Sequence, residues 1–287
     1  MEIVGTIEEV RKFVSRAAEA ENVIGLVPTM GGLHGGHLSL IDAAHEACGY
    51  VVVSIFVNPT QFGPNEDMDR YPRTQEADLD ACRAHGVDLV FTPTVEVMYG
   101  RGFRTVVNIA ELAGALCGRS RPTHFAGVCT VVAKLFNIVG PCKAFFGQKD
   151  FQQAVIIRRM VADLNFPVDI VTCPTVRERD GLAASTRNQY LSPEPRGQAA
   201  ALNAGLRLAA ERIRQSHPTA AEVINAIRGH LATAAPGGKV EYVQIVDPLT
   251  LRDVEVTEGE VLVALAVKFV GARLIDNILV DSRTAGP

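Results

Sequence analysis

The stretch "VPTMGGLHGGHLSL" at residues 27–40 places two histidines, His34 and His37, among the glycines Gly31, Gly32, Gly35 and Gly36. It follows the apolar run "VIGLVPT" (23–29) and leads into "HLSLIDAAHEAC" (37–48), whose apolar residues recur at helical spacing. Strand, glycine-rich turn and helix in that order make the first unit of an open parallel sheet, in which ligands sit beyond the carboxyl ends of strands. Glycines admit a ligand close to the backbone, and a helix N-terminus favours anions through its N–H groups and dipole. A phosphate-bearing ligand suits such a turn. Gly31 and Gly36 have the P-loop spacing, but His37 and Leu38 stand where that loop needs Lys and Ser/Thr, and GxGxxG is absent. Imidazole can donate to charge developing on phosphorus, or move a proton near neutral pH. His34 and His37 are one helical turn apart and can share a face. As residue types alone they also suit a solvated turn, a packed core position or a metal pair, although no third ligand is suggestively spaced.

The pattern recurs outward from this turn. "YVVVSIFVN" (50–58) is apolar throughout, as a strand covered on both faces is. "EADLDACRAHG" (76–86) reads as a helix ended by Gly86, and "VDLVFTP" (87–93) as the next strand. "THFAGVCTVVAKLFNIVG" (123–140) reads as a buried helix, "KAFFG" (143–147) as a strand, "DFQQAVIIRRMVADLN" (150–165) as a helix and "VDIVTCP" (168–174) as a strand. Upstream, Thr6 and Glu9 form a capping box that opens a helix through about Glu21. This alternation predicts an α/β fold, a Rossmann-like doubly wound parallel sheet with helices on both faces. After the polar stretch "VRERDGLAASTRNQYLSPEP" (176–195) come helical segments at about 196–215 and 219–234, a break at "APGGK", and strand-like runs at 240–247, 261–269 and 273–280. A smaller C-terminal α+β domain is expected there, giving domains 1–175 and 176–287.

Composition narrows the class. The chain has 287 residues, 47% of them hydrophobic, which is enough for two cores and excludes a disordered chain. A net charge of −4 does not suggest a general nucleic-acid binder. The six cysteines lack CxxC pairs and zinc spacings, and read as small buried residues of a reducing compartment. The start "MEIVGTIEEVRKFV" has no basic leader followed by an apolar run, and no uninterrupted apolar stretch is long enough to span a membrane. A cytoplasmic protein is expected, with neither nucleic acid nor membrane as partner.

With these blocks in place, a resemblance becomes specific. "PTMGGLHGGHLSL" is similar to the P-T-M-G-x-L-H-x-G-H signature of the pantothenate synthetase (pantoate–β-alanine ligase) family. Its HxGH element is shared by a wider group of adenylyl-transferring Rossmann-like enzymes. "VSIFVNPTQF" (53–62), "YPRT" (71–74), "RPTHFAGV" (121–128), "FFGQKDFQQ" (145–153) and "VRERDGLAASTRNQYL" (176–191) resemble the family's further blocks in its order. The resemblance implies an ATP-dependent ligase that joins (R)-pantoate to β-alanine through pantoyl adenylate, releasing AMP and diphosphate. ATP is then a substrate and Mg²⁺ a companion of its phosphates. A homodimer is implied by analogy.

The resemblance also assigns residues. In "FFGQKD", Gly147, Gln148, Lys149 and Asp150 fall to ATP, with Lys149 stabilising phosphate. By residue type alone Lys149 suits a solvated surface and Asp150 a helix cap, or a magnesium held through water. The family carries Glu where this chain has Gln148, which removes one negative charge. Met30, Gly31, Gly32, Leu33, His34, Gly35, Gly36 and His37 complete the first ATP block. In the third, Val176 offers backbone to adenine, and Ala184, Ser185, Thr186 and Arg187 stand for the family's M-S-S-R. Thr186 keeps a hydroxyl, whereas Ala184 loses an apolar contact. Without the resemblance, this stretch reads best as a polar interdomain linker, with Gly181 a possible hinge. Gln61 and Gln153 are neutral amides suited to a small hydroxy acid; the family makes Gln61 a contact for pantoate and β-alanine and Gln153 one for pantoate. Asn58, Tyr71, Arg121 and His124 fall near the same pocket. The resemblance makes His34, His37, Lys149, Ser185 and Arg187 the groups that meet transition-state charge, assigns no metal ligands, and has the second domain close over ATP. An enzyme stopping at adenylyl transfer, and a non-catalytic nucleotide-binding relative, are the other classes the sequence admits.

Overall fold

In a computed structural model, residues 1–64 and 66–283 are described. The chain divides into two compact units, each taken by itself. The first comprises Met1–Gly114, Ser120–Gln148 and Gln153–Pro174; the second comprises Ala115–Arg119, Lys149–Gln152 and Thr175–Pro287. The division near 175 thus carries two short excursions, and one of them takes Lys149 into the second unit.

The first unit runs β1 (Glu2–Val4), α1 (Ile7–Glu19), β2 (Ile24–Thr29), α2 (Gly35–Ala47), β3 (Tyr50–Ile55), α3 (Gln75–Ala84), β4 (Leu89–Phe91), α4 (Val95–Met98), α5 (Ala110–Ala113), α6 (His124–Val139), β5 (Cys142–Gly147), most of α7 (Phe151–Leu164), and β6 (Val168–Cys173). Its six strands are all parallel, in the order β1-β4-β3-β2-β5-β6. From β2 the chain winds outward through β3 to β4, then returns to the other side of β2 as β5 and β6. The switch point therefore lies between β2 and β5, the place where doubly wound sheets bind ligands.

Apolar strands with little alternation dictate this layering, because a parallel sheet is covered on both faces. Val51, Val52 and Val53 of β3 are all buried. Val51 and Val53 join Val27, Val90 and Phe145 against Leu40, Ile41 and Ala44 of α2 and Cys82 of α3. Gly25 lets α2 approach β2, since a Cβ there would meet Cys48 Sγ at 3.1 Å. Helix α1 opens on the expected Thr6–Glu9 capping box and ends at Glu19. The short edge strand β1 lacks a sequence signal, because three residues are too few to show a period.

The second unit contains α8 (Pro193–Ala199), α9 (Ala201–Ser216), α10 (Ala220–Ala234), β7 (Lys239–Val246), β8 (Glu260–Lys268) and β9 (Arg273–Asp281). The three strands form an antiparallel sheet with β8 central. Its core joins Leu202, Leu206 and Ile213 of α9 and Val223 and Ile227 of α10 to Val263 and Leu265 of β8. His217 turns the chain between α9 and α10 with φ 44°, and Thr219 with Glu222 boxes the start of α10.

Candidate functional site

The loop after β2 is shaped by internal bonds before any ligand is considered. Gly31 and Gly32 take φ of 80° and 61°, which side chains beyond Cα disfavour. The N–H of Gly31 donates to Thr29 Oγ1 at 3.2 Å, and Thr29 Oγ1 donates to the Ser54 carbonyl at 2.8 Å. Gly32 and Leu33 donate their N–H groups to the two carboxylate oxygens of Asp78, at 2.9 and 2.8 Å. His34 is the N-cap of α2, its Nδ1 accepting the Gly36 N–H at 3.1 Å. An accepting Nδ1 leaves the imidazole proton on Nε2, so that atom is the ring's donor. The His34 and His37 rings meet with centroids 4.1 Å apart. The structure thus brings the two imidazoles together at a helix start beside the switch point.

A second cluster follows β3, around the 3-10 turn Pro59–Gln61. Asn58 is 1% exposed and caps this turn. Its Oδ1 accepts from Thr60 Oγ1 and from the Tyr99 hydroxyl, both within 2.9 Å. Its Nδ2 donates to Gln61 Oε1 and to the Gly127 carbonyl. Both amide hydrogens of Asn58 are therefore used inside the protein, and one of them fixes Gln61. Gln61 Nε2 lies 2.9 Å from Met30 Sδ, which ties this turn to the histidine loop.

Arg121 grips Glu66 through Nε and Nη2, at 2.6 and 2.5 Å, and Nη2 also reaches the Gln61 carbonyl. His124 Nδ1 donates to the same carbonyl at 2.8 Å. Burial opposes the Glu66 charge, but hydrogen bonds and attraction from Arg121 outweigh it and hold the carboxyl below its ordinary range. Tyr71 is buried edge-on against Phe62. Arg121, His124 and Asn58 thus converge on Gln61, the buried amide the sequence singled out.

At the end of β5, Gly147 and Gln148 lead into a 3-10 turn, Gln148–Asp150. Gln153 is partly buried on α7. Within the second unit, Lys149 Nζ stands 3.8 Å from Asp150 Oδ1, and Asn277 Nδ2 holds the Lys149 carbonyl at 2.8 Å. Gln152, which the sequence reading passes over in favour of Gln153, is buried and bonds the Cys117 N–H and the Ala115 carbonyl.

Residues 176–184 form a hairpin that runs into 183–188, the stretch composition alone makes a polar linker. The Ala184 N–H meets the Val176 carbonyl, Arg177 pairs with Ala183, and Gly181 turns the chain with φ 89°. Arg177 forks onto the buried Asp276 at 2.7 and 3.1 Å. This pairing of Arg177 with a residue 99 positions away is one that composition does not reveal. Ser185 Oγ then accepts the Arg187 N–H and opens the 3-10 turn Thr186–Tyr190, while Ala184 and Thr186 are buried.

None of the six cysteines is in a disulfide, and burial pushes the Cys129 and Cys142 thiols up to about 12, far from the thiolate that attack requires. Among the described residues no group of three or more His, Cys, Asp or Glu side chains could hold a metal. Asp150 is the carboxylate beside Lys149. Among the described residues no helix is long and apolar enough to cross a membrane.

Asp78, Thr74, Tyr99 and Gly127 are the structural supports that sequence inspection misses. Asp78, Tyr99 and Gly127 act across large sequence separations, Asp78 lying 46 residues from Gly32, and Thr74 supports Asp78 from four residues before it.

A parallel α/β sheet with an imidazole pair at its switch point defines a nucleotide-type, Rossmann-like enzyme. The model of one family, described as pantoate-beta-alanine ligase, matches residues 2–279. The pantothenate synthetase of Moorella thermoacetica is 53% identical over 281 residues, covering 98% of this chain and 99% of that protein. That of Acetivibrio thermocellus is 50% identical, covering 98% and 100%. The crystal structure of pantothenate synthetase from Thermus thermophilus superposes with a TM-score of 0.92 at 46% identity, covering 97% of this chain and 99% of that one. A pantoate-beta-alanine ligase from Francisella tularensis, crystallised with beta-gamma ATP and beta-alanine, gives 0.79 at 33% identity, with 99% of each chain covered. The chain belongs to the pantoate–β-alanine ligase family.

Proposed function

We propose that this chain condenses (R)-pantoate with β-alanine, cleaving ATP to AMP and diphosphate through a pantoyl adenylate. The observation that carries the chemistry is the His34–His37 ring pair at the start of α2, beside the β2–β5 switch point. In the first step a pantoate carboxylate oxygen attacks the α-phosphorus. The bond from that phosphorus to the bridging oxygen breaks, and diphosphate leaves with the electron pair. In the second, the β-alanine amine attacks the activated carbonyl. The acyl carbon–oxygen bond breaks, AMP leaves, and the amine releases its proton.

Charge gathers on the phosphoryl oxygens in the first transition state, so fixed donors there accelerate it. His37 donates to the α-phosphoryl oxygens, and His34 donates through Nε2. Lys149 and Arg187 neutralise the remaining phosphate charge, and the Ser185 hydroxyl donates a hydrogen bond to it. Met30–Gly36, Gly147, Gln148, Val176, Ala184 and Thr186 complete the ATP contacts, Gly32 and Leu33 without their N–H groups, which Asp78 holds. Gln61 and Gln153 bind pantoate, with Tyr71 closing the apolar side. Asn58, Arg121 and His124 hold Gln61 in place. Magnesium, held by the phosphates and through water by Asp150, would supply charge neutralisation on the triphosphate.

Movement of residues 176–287 over bound ATP, a homodimeric assembly and a cytoplasmic location belong to the same reading. Scattering profiles with and without ATP plus pantoate, and sedimentation, test the first two. The central experiment follows two products. Diphosphate release should require pantoate, and AMP release with amide formation should require β-alanine. Nucleotide turnover with no amide product would reject the reading.

A further inference from the structure

The buried carboxylate behind the histidine loop is the group that the chemistry above does not use. Asp78 sits in the first turns of α3 and is 3% exposed. A charge so buried needs donors in place of water. Its Oδ2 accepts the Gly32 N–H, and its Oδ1 accepts both the Leu33 N–H and the Thr74 hydroxyl, the last at 3.2 Å. The acceptors are thus filled by loop amides and a hydroxyl rather than by a side-chain cation. The N-terminal end of α3 adds a favourable dipole. Gly31 packs directly on this group: a Cβ there would lie 3.0 Å from Oδ2.

Two consequences follow for the loop. The Gly32 and Leu33 amides point at Asp78, so they are not the amides that cradle phosphate, and anion recognition in this loop falls to the imidazoles and the start of α2. The left-handed turn at Gly31 and Gly32, which sets where His34 begins α2, is clamped from a different helix. We propose that Asp78 is the positioning residue for the His34–His37 pair, acting on adenylate formation through the loop backbone without touching substrate. The proposal rests on the reading that these histidines serve that step.

The test separates the half-reactions. Pantoate-dependent ATP–diphosphate exchange reports the first, and attack of β-alanine on supplied pantoyl adenylate reports the second. Asp78→Asn sets an amide donor against the loop N–H groups. A loop displaced by about 1 Å should lower exchange kcat roughly 10- to 100-fold. The second half-reaction and the KM for β-alanine should stay within about twofold, the sparing expected of a group that acts only on the histidine loop. The ring resonances of His34 and His37 should shift, while those of His217 and His230 stay in place. Equal loss in both half-reactions would mark Asp78 as merely structural and overturn the proposal. Exchange near wild type in Asp78→Asn, beside a strong loss in His37→Ala, would overturn it while leaving the histidine reading intact. Exchange near wild type in both variants would sink the histidine reading and this proposal with it. If Asp78→Asn does not fold, Asp78→Glu moves the carboxylate by one methylene. It should lose exchange selectively, and wild-type exchange there overturns the proposal equally.

Discussion

Gly127 of α6 and Gln61 touch backbone to backbone: a Cβ on residue 127 would lie 2.7 Å from the Gln61 Cα and 2.5 Å from the Thr60 carbonyl oxygen. Both contacts are to main chain, so no side-chain rotation relieves them. Gly127→Ala must push the Pro59–Gln61 turn off α6. Overpacking of this kind costs about 1–3 kcal/mol, and denaturant unfolding should show it. The same displacement should raise the KM for pantoate more than that for ATP. Unchanged stability and KM would mean that the turn yields without consequence.

His34 carries two separable duties, and substitution divides them. Asparagine is a good N-cap, whereas alanine loses about 1 kcal/mol of helix capping. His34→Asn should therefore keep wild-type stability yet lose adenylation rate, and His34→Ala should lose both. His37→Ala should lower adenylation roughly 10²- to 10³-fold, as for a lost transition-state donor. Thermal melts paired with ATP–diphosphate exchange check all three.

The Glu66–Arg121 pair makes the pantoate side acid-sensitive. The Glu66 carboxyl is held below its ordinary 4.5. Its contribution is therefore complete above the unfolded value and disappears as pH falls through the lower folded one. Wild type should lose stability on acidification below the ordinary 4.5. Glu66→Gln should already lack that increment at neutral pH and show a flatter acid limb. Parallel acid limbs for the two proteins would show that Glu66 contributes nothing.

Asp276 has a 1% exposed side chain and faces the Arg177 fork. Removing one partner of a buried pair strands the other, at a cost of about 3–5 kcal/mol. Asp276→Ala should fall in that range by urea unfolding, and the 176–184 hairpin should lose amide protection in hydrogen exchange. A loss of under about 1 kcal/mol would show that water reaches Arg177 readily, as for an exposed pair.

Regular elements were legible because each is long enough to show a period. The β3 run of valines, the helical spacing of apolar residues in α2 and the Thr6–Glu9 box act between near neighbours, and the chain order of strands and helices then permits few topologies. Cooperation between elements was not legible. Composition alone makes residues 183–188 a polar linker, and the partners Asp276, Glu178 and Asn188 turn the polar groups around it into a hairpin and an ordered turn. The sequence alone determined the parallel α/β unit, the smaller α+β unit and the imidazole loop, since local periodicity and glycine placement suffice for those. Tertiary structure alone decided that Asp78 clamps the loop, that Gly127 admits Gln61, and that the Asn58 amide ties its turn to the Gly127 carbonyl. Those contacts join residues dozens of positions apart, and a buried polar group takes its meaning from whichever partner the fold brings within hydrogen-bond distance.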